Sequence, residues 1–342
     1  MKKVMIAMSG GVDSSVTCLI MMKKGFECAG SMMKLNSYTD TNDAKIVAEK
    51  LNIPFFEMNC VDEFRKNVVE NFVKSYENGE TPNPCVECNK FLKFGIFLDD
   101  AIKKGYDYIA TGHYATVEFN GETNKYELKR AKDLQKDQSY FLYNLTQYEL
   151  SHIKFPLGEF SKSLIREIAL SNNFVNAKKK DSQDICFIPD GDYGKFIEEY
   201  RNTTFKKGEF IHKNGEVLGK HNGIIHYTIG QRKGLGIAYK NPLYVCKIDG
   251  ENNNIILGDN EDLFTKTVRA DNVNIISGEL FKEPKRVMAK VRYRHIPQMA
   301  TAFCDDNGIL NIEFDEPQRA VTKGQSAVIY DGDTVLGGGI II

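Results

Sequence analysis

The chain has 342 residues, 42% of them hydrophobic and 27% charged, with a net charge of −1. That length allows two or three domains with ample core, and that balance excludes a polycation, so any nucleic-acid surface is a local patch. No apolar stretch approaches the roughly 20 residues of a membrane span, and the run after Lys2 and Lys3 is too short for a signal core. A cytoplasmic protein without membrane partners is expected, its eight cysteines serving as thiols, metal ligands or catalysts rather than disulfides.

In chain order, residues 4–8 read as a short buried strand, 13–24 as a helix, 27–33 as a strand, 43–51 as a helix and 54–59 as a strand. A long amphipathic helix over 62–76 follows, then a Pro-rich loop, a helix from about Asn89 and a strand over 106–111. This alternation predicts an α/β fold: a parallel sheet with helices on both faces and ligands at the carboxyl ends of its strands. Residues 140–200 read as mostly helical. Beyond about 205, Gly clusters, the Asn-Gly pairs starting at 214, 222 and 307, and alternating segments at 287–293 and 309–314 predict antiparallel β structure in one or two small barrels or sandwiches. The expected units are 1–204 (helical extension from about 140), a small β-rich unit at 205–267 and a β-barrel at 268–342.

Ser9-Gly10-Gly11-Val12-Asp13-Ser14-Ser15 directly follows the first strand and opens the first helix. Two glycines let backbone amides approach a ligand, the helix N-terminus favours an anion, and the serines add hydroxyl donors. The bland alternative is a tight turn with Ser/Asp capping. The loop lacks the Gly-Lys-Ser/Thr ending of a Walker loop.

Five cysteines (Cys18, Cys28, Cys60, Cys246, Cys304) lie in apolar contexts and read as core filling. Cys85 and Cys88 lie in Thr81-Pro82-Asn83-Pro84-Cys85-Val86-Glu87-Cys88, where two prolines delay regular structure. A helix starting near Asn89 would put Cys88 at its N-terminus, where a thiolate is stabilised. Cys186 follows the basic triplet Lys178-Lys179-Lys180. Half a zinc site is the bland reading of Cys85 and Cys88, but no second pair completes it.

The loop resembles the PP-motif of the ATP pyrophosphatases, Ser-Gly-Gly-x-Asp-Ser, whose adenine nucleotide alpha hydrolase-like domain splits ATP between the α and β phosphates. Together with residues 81–94, 110–114, 136–142, 177–188, 230–236 and 314–339, in that order, the chain resembles the bacterial tRNA-specific 2-thiouridylases. The resemblance implies adenylation of the wobble uridine 2-oxygen in tRNAs for Lys, Glu and Gln, followed by sulfur transfer. It assigns ATP contacts to Ala7, Met8, Ser9, Gly10, Gly11, Val12, Asp13, Ser14, Met33 and Gly112, with Mg2+ expected. It makes Cys186 the carrier of a persulfide received from an upstream sulfur donor, and Cys88 its partner thiol, the pair ending as a disulfide. A loop would bring Cys186, 98 positions away in the sequence, over the site when tRNA binds. Asn83, Pro84 and Cys85 match the target-base segment. Many members have Asp where this chain has Cys85, and a thiol can act as a base there only if its pKa is lowered.

His113, Lys136, Asp137, Gln138, Arg292, Tyr293 and Gln325 match tRNA-contact positions. Residues 282–294 carry six basic residues and one Glu around Tyr293, a mix suited to phosphate contact and base stacking. Unaided, a lone His after a strand is more often structural. Two other readings stand beside persulfide transfer: a [4Fe–4S] cluster on Cys85, Cys88 and Cys186, and a PP-loop synthase acting on a small molecule. A tRNA-binding relative without catalysis is a third, opposed by the complete loop and both cysteines.

Overall fold

The computed structural model describes residues 1–37, 39–179 and 185–342. The first sheet is built from strands Lys3–Ala7 (β1), Glu27–Lys34 (β2), Phe55–Asn59 (β3), Tyr108–Ala110 (β4) and Ile153–Lys154 (β7), in the order β3-β2-β1-β4-β7 and all parallel. Val4, Met5 and Ile6 are fully buried because helices cover both faces of β1. The chain runs outward from β1 to β3 and then returns to β4 on the other side of β1. That reversal opens a crevice beyond the carboxyl ends of β1 and β4.

The helix expected over 62–76 is present but not uniform. Val61–Phe64 and Glu70–Glu77 are α-helical, and Arg65–Val69 between them is π-helical. A second helix pairs with it in the same manner: Pro84–Glu87 is α, Cys88–Ile96 is π and Phe97–Lys103 is α. This helix starts at Pro84, five residues before the expected Asn89, since proline is well suited to a first helical position, where its missing N–H costs nothing. Residues 140–200 are less helical than expected. They contain α-helices Gln147–His152, Lys162–Ser171 and Tyr193–Arg201, but also the short strand β7.

A hairpin of Ala115–Asn120 (β5) and Lys125–Arg130 (β6) leaves the first sheet altogether and pairs with the last strand of the chain. The central sheet, Gly208–His212 (β8), Val217–His221 (β9), Tyr244–Asp249 (β10) and Asn254–Gly258 (β11), is mixed rather than purely antiparallel, because β8 and β11 run parallel. Asn214-Gly215 turns between β8 and β9 as expected, whereas Asn222-Gly223 leads into a 3-10 turn at Ile224–His226.

Phe264–Ile275 (β12), Lys285–Lys290 (β13), Gln298–Cys304 (β14), Leu310–Arg319 (β15), Ser326–Asp331 (β16) and Thr334–Ile341 (β17) form a six-stranded barrel. Their order is β12-β15-β14-β13-β16-β17, and β17 closes onto β12. Tyr140, Tyr143, Leu128 and Leu142 share one core with Val328, Tyr330 and Val335, so the barrel and the first region are packed as one interior. The Tyr140 hydroxyl donates to Ser326 O at 2.8 Å, and Asn274 Nδ2 donates to Tyr143 O at 2.6 Å. A Cβ at Gly338 would stand 2.4 Å from Ala327 O and 2.9 Å from the Tyr143 ring. Gly338→Ala should therefore overpack this junction and lower stability by about 1–3 kcal/mol, read as a reduced urea midpoint.

Candidate active site

Residues 9–15 lie at the mouth of the crevice. Helix Val12–Lys23 starts without a side-chain cap, leaving its first amides for an anion. Gly10 has φ +70°, a left-handed backbone that glycine takes without strain. Ser14 Oγ and Ser15 Oγ donate to Gly11 O at 3.1 and 3.0 Å, and Asn176 Nδ2 donates to Gly10 O at 3.0 Å. From the opposite strand end, Gly112 lies so close that a Cβ there would meet Asp13 Cβ at 2.9 Å and Ser14 N at 3.1 Å. Ala7 and Met33 are half-buried and Met8 is buried at the adjoining strand ends.

The Asp13 carboxylate is fully engaged. Lys162 Nζ reaches both its oxygens at 2.7 Å, and the Tyr114 hydroxyl donates to one of them at 2.9 Å. The Asp13 carboxylate is thus held by a cation and a hydroxyl, and the first amides of the helix are the groups left to face an anion. Lys162 and Asn176 carry no motif, and their partners lie far off along the chain, so the sequence offers no signal for either.

The three candidate cysteines converge on the second π-helical pair. Cys88 is buried, packed with Cys60, Phe64, Val68, Phe72 and Leu92. It sits a full turn inside its helix, so the expectation of Cys88 at a helix N-terminus fails; Cys85, near that end, is exposed. Cys186 is exposed while its neighbours are anchored. Phe187 makes edge contacts with Phe64 and Phe72 at 5.5 and 5.4 Å between ring centres, and Ile188 is buried. Cys186 feels the electrostatic influence of both Cys88 and Cys85. Lys180, of the basic triplet before Cys186, lies outside the described residues, as do 181–184.

Burial pushes the Cys88 thiol up; Cys85 and Cys186, though exposed on one side, are crowded by protein on the others, and the lost hydration pushes Cys85 up and Cys186 up to about 11. In this form Cys85 is thus a poor substitute for a carboxylate base. Among the described residues, no three His, Cys, Asp or Glu side chains are grouped so as to hold a metal ion. The five remaining cysteines behave as core filling: Cys18, Cys28, Cys60 and Cys304 are buried and Cys246 is partly so.

The residues matched to tRNA contacts are distributed around this centre. Lys136 is half-buried on the turn that leads to Asp137. Asp137 is buried and accepts from Ala131 N, Ser139 N and Ser139 Oγ at 3.1, 3.2 and 3.0 Å. Gln138 Oε1 accepts from Tyr114 N at 3.0 Å, fixing the turn beside Asp13. Arg292 Nε and Nη2 donate to Ala320 O and Ile229 O at 3.0 and 3.2 Å, and the Tyr293 ring lies 4.4 Å from that of Phe141. Gln325 Nε2 donates to Thr81 O and Pro82 O at 2.8 and 3.2 Å, tying the Pro-rich loop to the barrel. Asn83 and the buried Pro84 continue from that loop, and Asn83 lines a cleft of about 220 Å3 with Glu80, Glu87 and Asp271. In this form Asp137, Gln138, Arg292 and Gln325 direct these groups at protein partners.

A family model described as a tRNA methyl transferase HUP domain matches residues 2–190. A tRNA methyl transferase PRC-barrel domain matches 194–259, and an aminomethyltransferase beta-barrel domain matches 265–341. Relatives called tRNA-specific 2-thiouridylase MnmA in Acetivibrio thermocellus and Clostridioides difficile are 47% and 46% identical, over 99% of this chain and 99% and 98% of theirs. The chain belongs to the tRNA-specific 2-thiouridylase family. Among solved structures, a 4-thiouridine synthetase–RNA complex with bound ATP covers 54% of this chain and 44% of its own, at 16% identity and a TM-score of 0.39.

Two outcomes follow for this family member. Gly112→Ala should displace Asp13 and Ser14 and weaken ATP binding roughly tenfold, about 1.4 kcal/mol, measurable by calorimetry. Burial, with Lys93 adding to it, holds the His113 imidazole well below its usual 6.5. The unfolded chain then takes up a proton that the folded chain refuses, so stability is lost as pH falls below about 6.5. The loss should approach about 1.4 kcal/mol per pH unit, and this component should vanish in His113→Gln when urea unfolding is compared at several pH values.

Proposed function

We propose that the chain is a tRNA-uridine 2-sulfurtransferase acting in the cytoplasm on the wobble uridine of tRNAs for Lys, Glu and Gln. The observation that carries this reading is the nearness of Cys186 to Cys88 on the helix pair beside an uncapped, glycine-flanked ATP loop. A uracil carbonyl oxygen is a poor leaving group, so it first attacks the α-phosphorus of ATP and expels pyrophosphate. The amides and hydroxyls of residues 9–15 would meet the phosphates. Mg2+ would arrive with the nucleotide and offset its charge, since Asp13 is committed to Lys162 and Tyr114.

The sulfur step uses a persulfide on Cys186, loaded by an upstream persulfide donor. Its terminal sulfur attacks C2 of the base and AMP leaves. The Cys88 thiolate then attacks Cys186 Sγ, forming a Cys88–Cys186 disulfide and releasing the sulfur on the base as 2-thiouridine. A cellular dithiol must reduce that disulfide before the next cycle. Extruding the target base is cheap in an anticodon loop, where bases are single-stranded. His113, Lys136, Asp137, Gln138, Arg292, Tyr293 and Gln325 are proposed tRNA contacts; those now bound within the protein would have to exchange partners when tRNA docks.

Cys186→Ser should keep tRNA-dependent pyrophosphate release and yield no 2-thiouridine in tRNA hydrolysates examined by mass spectrometry. Normal thiolation in that variant would overturn the persulfide role. Pyrophosphate release indifferent to tRNA would point instead to a small-molecule synthase.

A further inference from the structure

The π winding of Cys88–Ile96 has a chemical consequence. Its i→i+5 hydrogen bonds stack residues five apart on successive turns, whereas in an α-helix, at 3.6 residues per turn, such residues point about 140° apart. Cys88 and Lys93 are five apart. Lys93 Nζ stands 3.4 Å from His113 Nε2, and Thr111 Oγ1 stands 2.6 Å from His113 Nδ1. An ammonium can only donate, so Nε2 accepts, the ring proton is on Nδ1, and the Thr111 oxygen accepts that proton. The His113 ring is buried between Phe94 and Phe155, each 5.7 Å away between centres. It is a fixed, neutral acceptor that aims the ammonium.

The Lys93 charge acts on Cys85, Cys88 and Cys186 alike, favouring the thiolate of each. Among the described residues, the other titratable groups whose charge bears on Cys88 are Cys60, Cys85 and Cys186, and none of these is a cation.

We propose that Lys93, aimed by His113, is the positioning cation of the sulfur relay, favouring the thiolate of Cys88 one π turn before it on the same helix face. The inference deepens the persulfide reading and rests on it. Cys88 must be a thiolate when it attacks Cys186 Sγ, and a thiol buried as Cys88 is stays protonated unless a cation lies beside it.

The test is alkylation of Cys88 by iodoacetamide as a function of pH, mapped by mass spectrometry on the full-length protein without tRNA, ATP or sulfur donor. Lys93→Met should move the midpoint for Cys88 upward by about one unit, a roughly tenfold slower reaction at a fixed pH below it. Lys93→Arg should stay near the wild-type curve, and His113→Asn should shift in the same direction as Lys93→Met by a smaller amount. An unchanged curve in a Lys93→Met protein of normal melting temperature would falsify the proposal, as would equal shifts in Lys93→Met and Lys93→Arg. Should Lys93→Met fail to fold, an unshifted His113→Asn curve would overturn it in its place. Because no sulfur transfer is measured, this result stands apart from the thiolation outcome of Cys186→Ser.

Discussion

The packing of Gly112 onto the backbone of Asp13 and Ser14 is the contact on which the active crevice depends. It places two loops from neighbouring parallel strands within one van der Waals diameter of each other, which any side chain at 112 would prevent. With the two strand ends held so close, Tyr114 can reach Asp13, Gln138 can fix Tyr114, and Lys162 can close over the same carboxylate. The glycine-flanked loop is thereby braced by Gly112, Tyr114 and Lys162, with the first amides of its helix left without a side-chain cap. Next to it, the chain spends its backbone freedom differently: two adjacent helices both loosen into π turns, and Cys88 lies on one of them.

Much of this was legible in the sequence, and the failures have specific physical causes. Fully buried strands such as β1 announce themselves as short apolar runs between turn residues, and Ser9-Gly10-Gly11 marks the loop directly. Cys85, Cys88 and Cys186 stood out because prolines and charges surround them instead of apolar partners. The start of their helix was missed because Pro84 reads as a breaker when it is in fact the first helical residue. The β5–β6 hairpin and the two-residue β7 were missed because neither has an apolar run long enough to register.

Side chains that act from a distance were the least legible. Lys162 serves Asp13 across 149 positions and Gln325 serves Thr81 across 244, separations that no local pattern encodes. Lys93 was hidden for another reason: its alignment with Cys88 exists only because the helix departs from the 3.6-residue period on which sequence reading relies.

The appended β5–β6 hairpin also constrains how this chain can be made. Val335 of β17 pairs with Leu128 of β6, and the Tyr140 hydroxyl finds its acceptor only at Ser326, 186 positions later. During synthesis the nucleotide-binding region therefore emerges with Leu128, Tyr140 and Tyr143 uncovered, and it waits for the barrel before that surface is buried. Such late, distant closures are slow and leave apolar surface open to wrong partners. A nascent chain of this family would be a natural client of ribosome-associated chaperones, and a fragment ending before the barrel would be sticky rather than a smaller working enzyme.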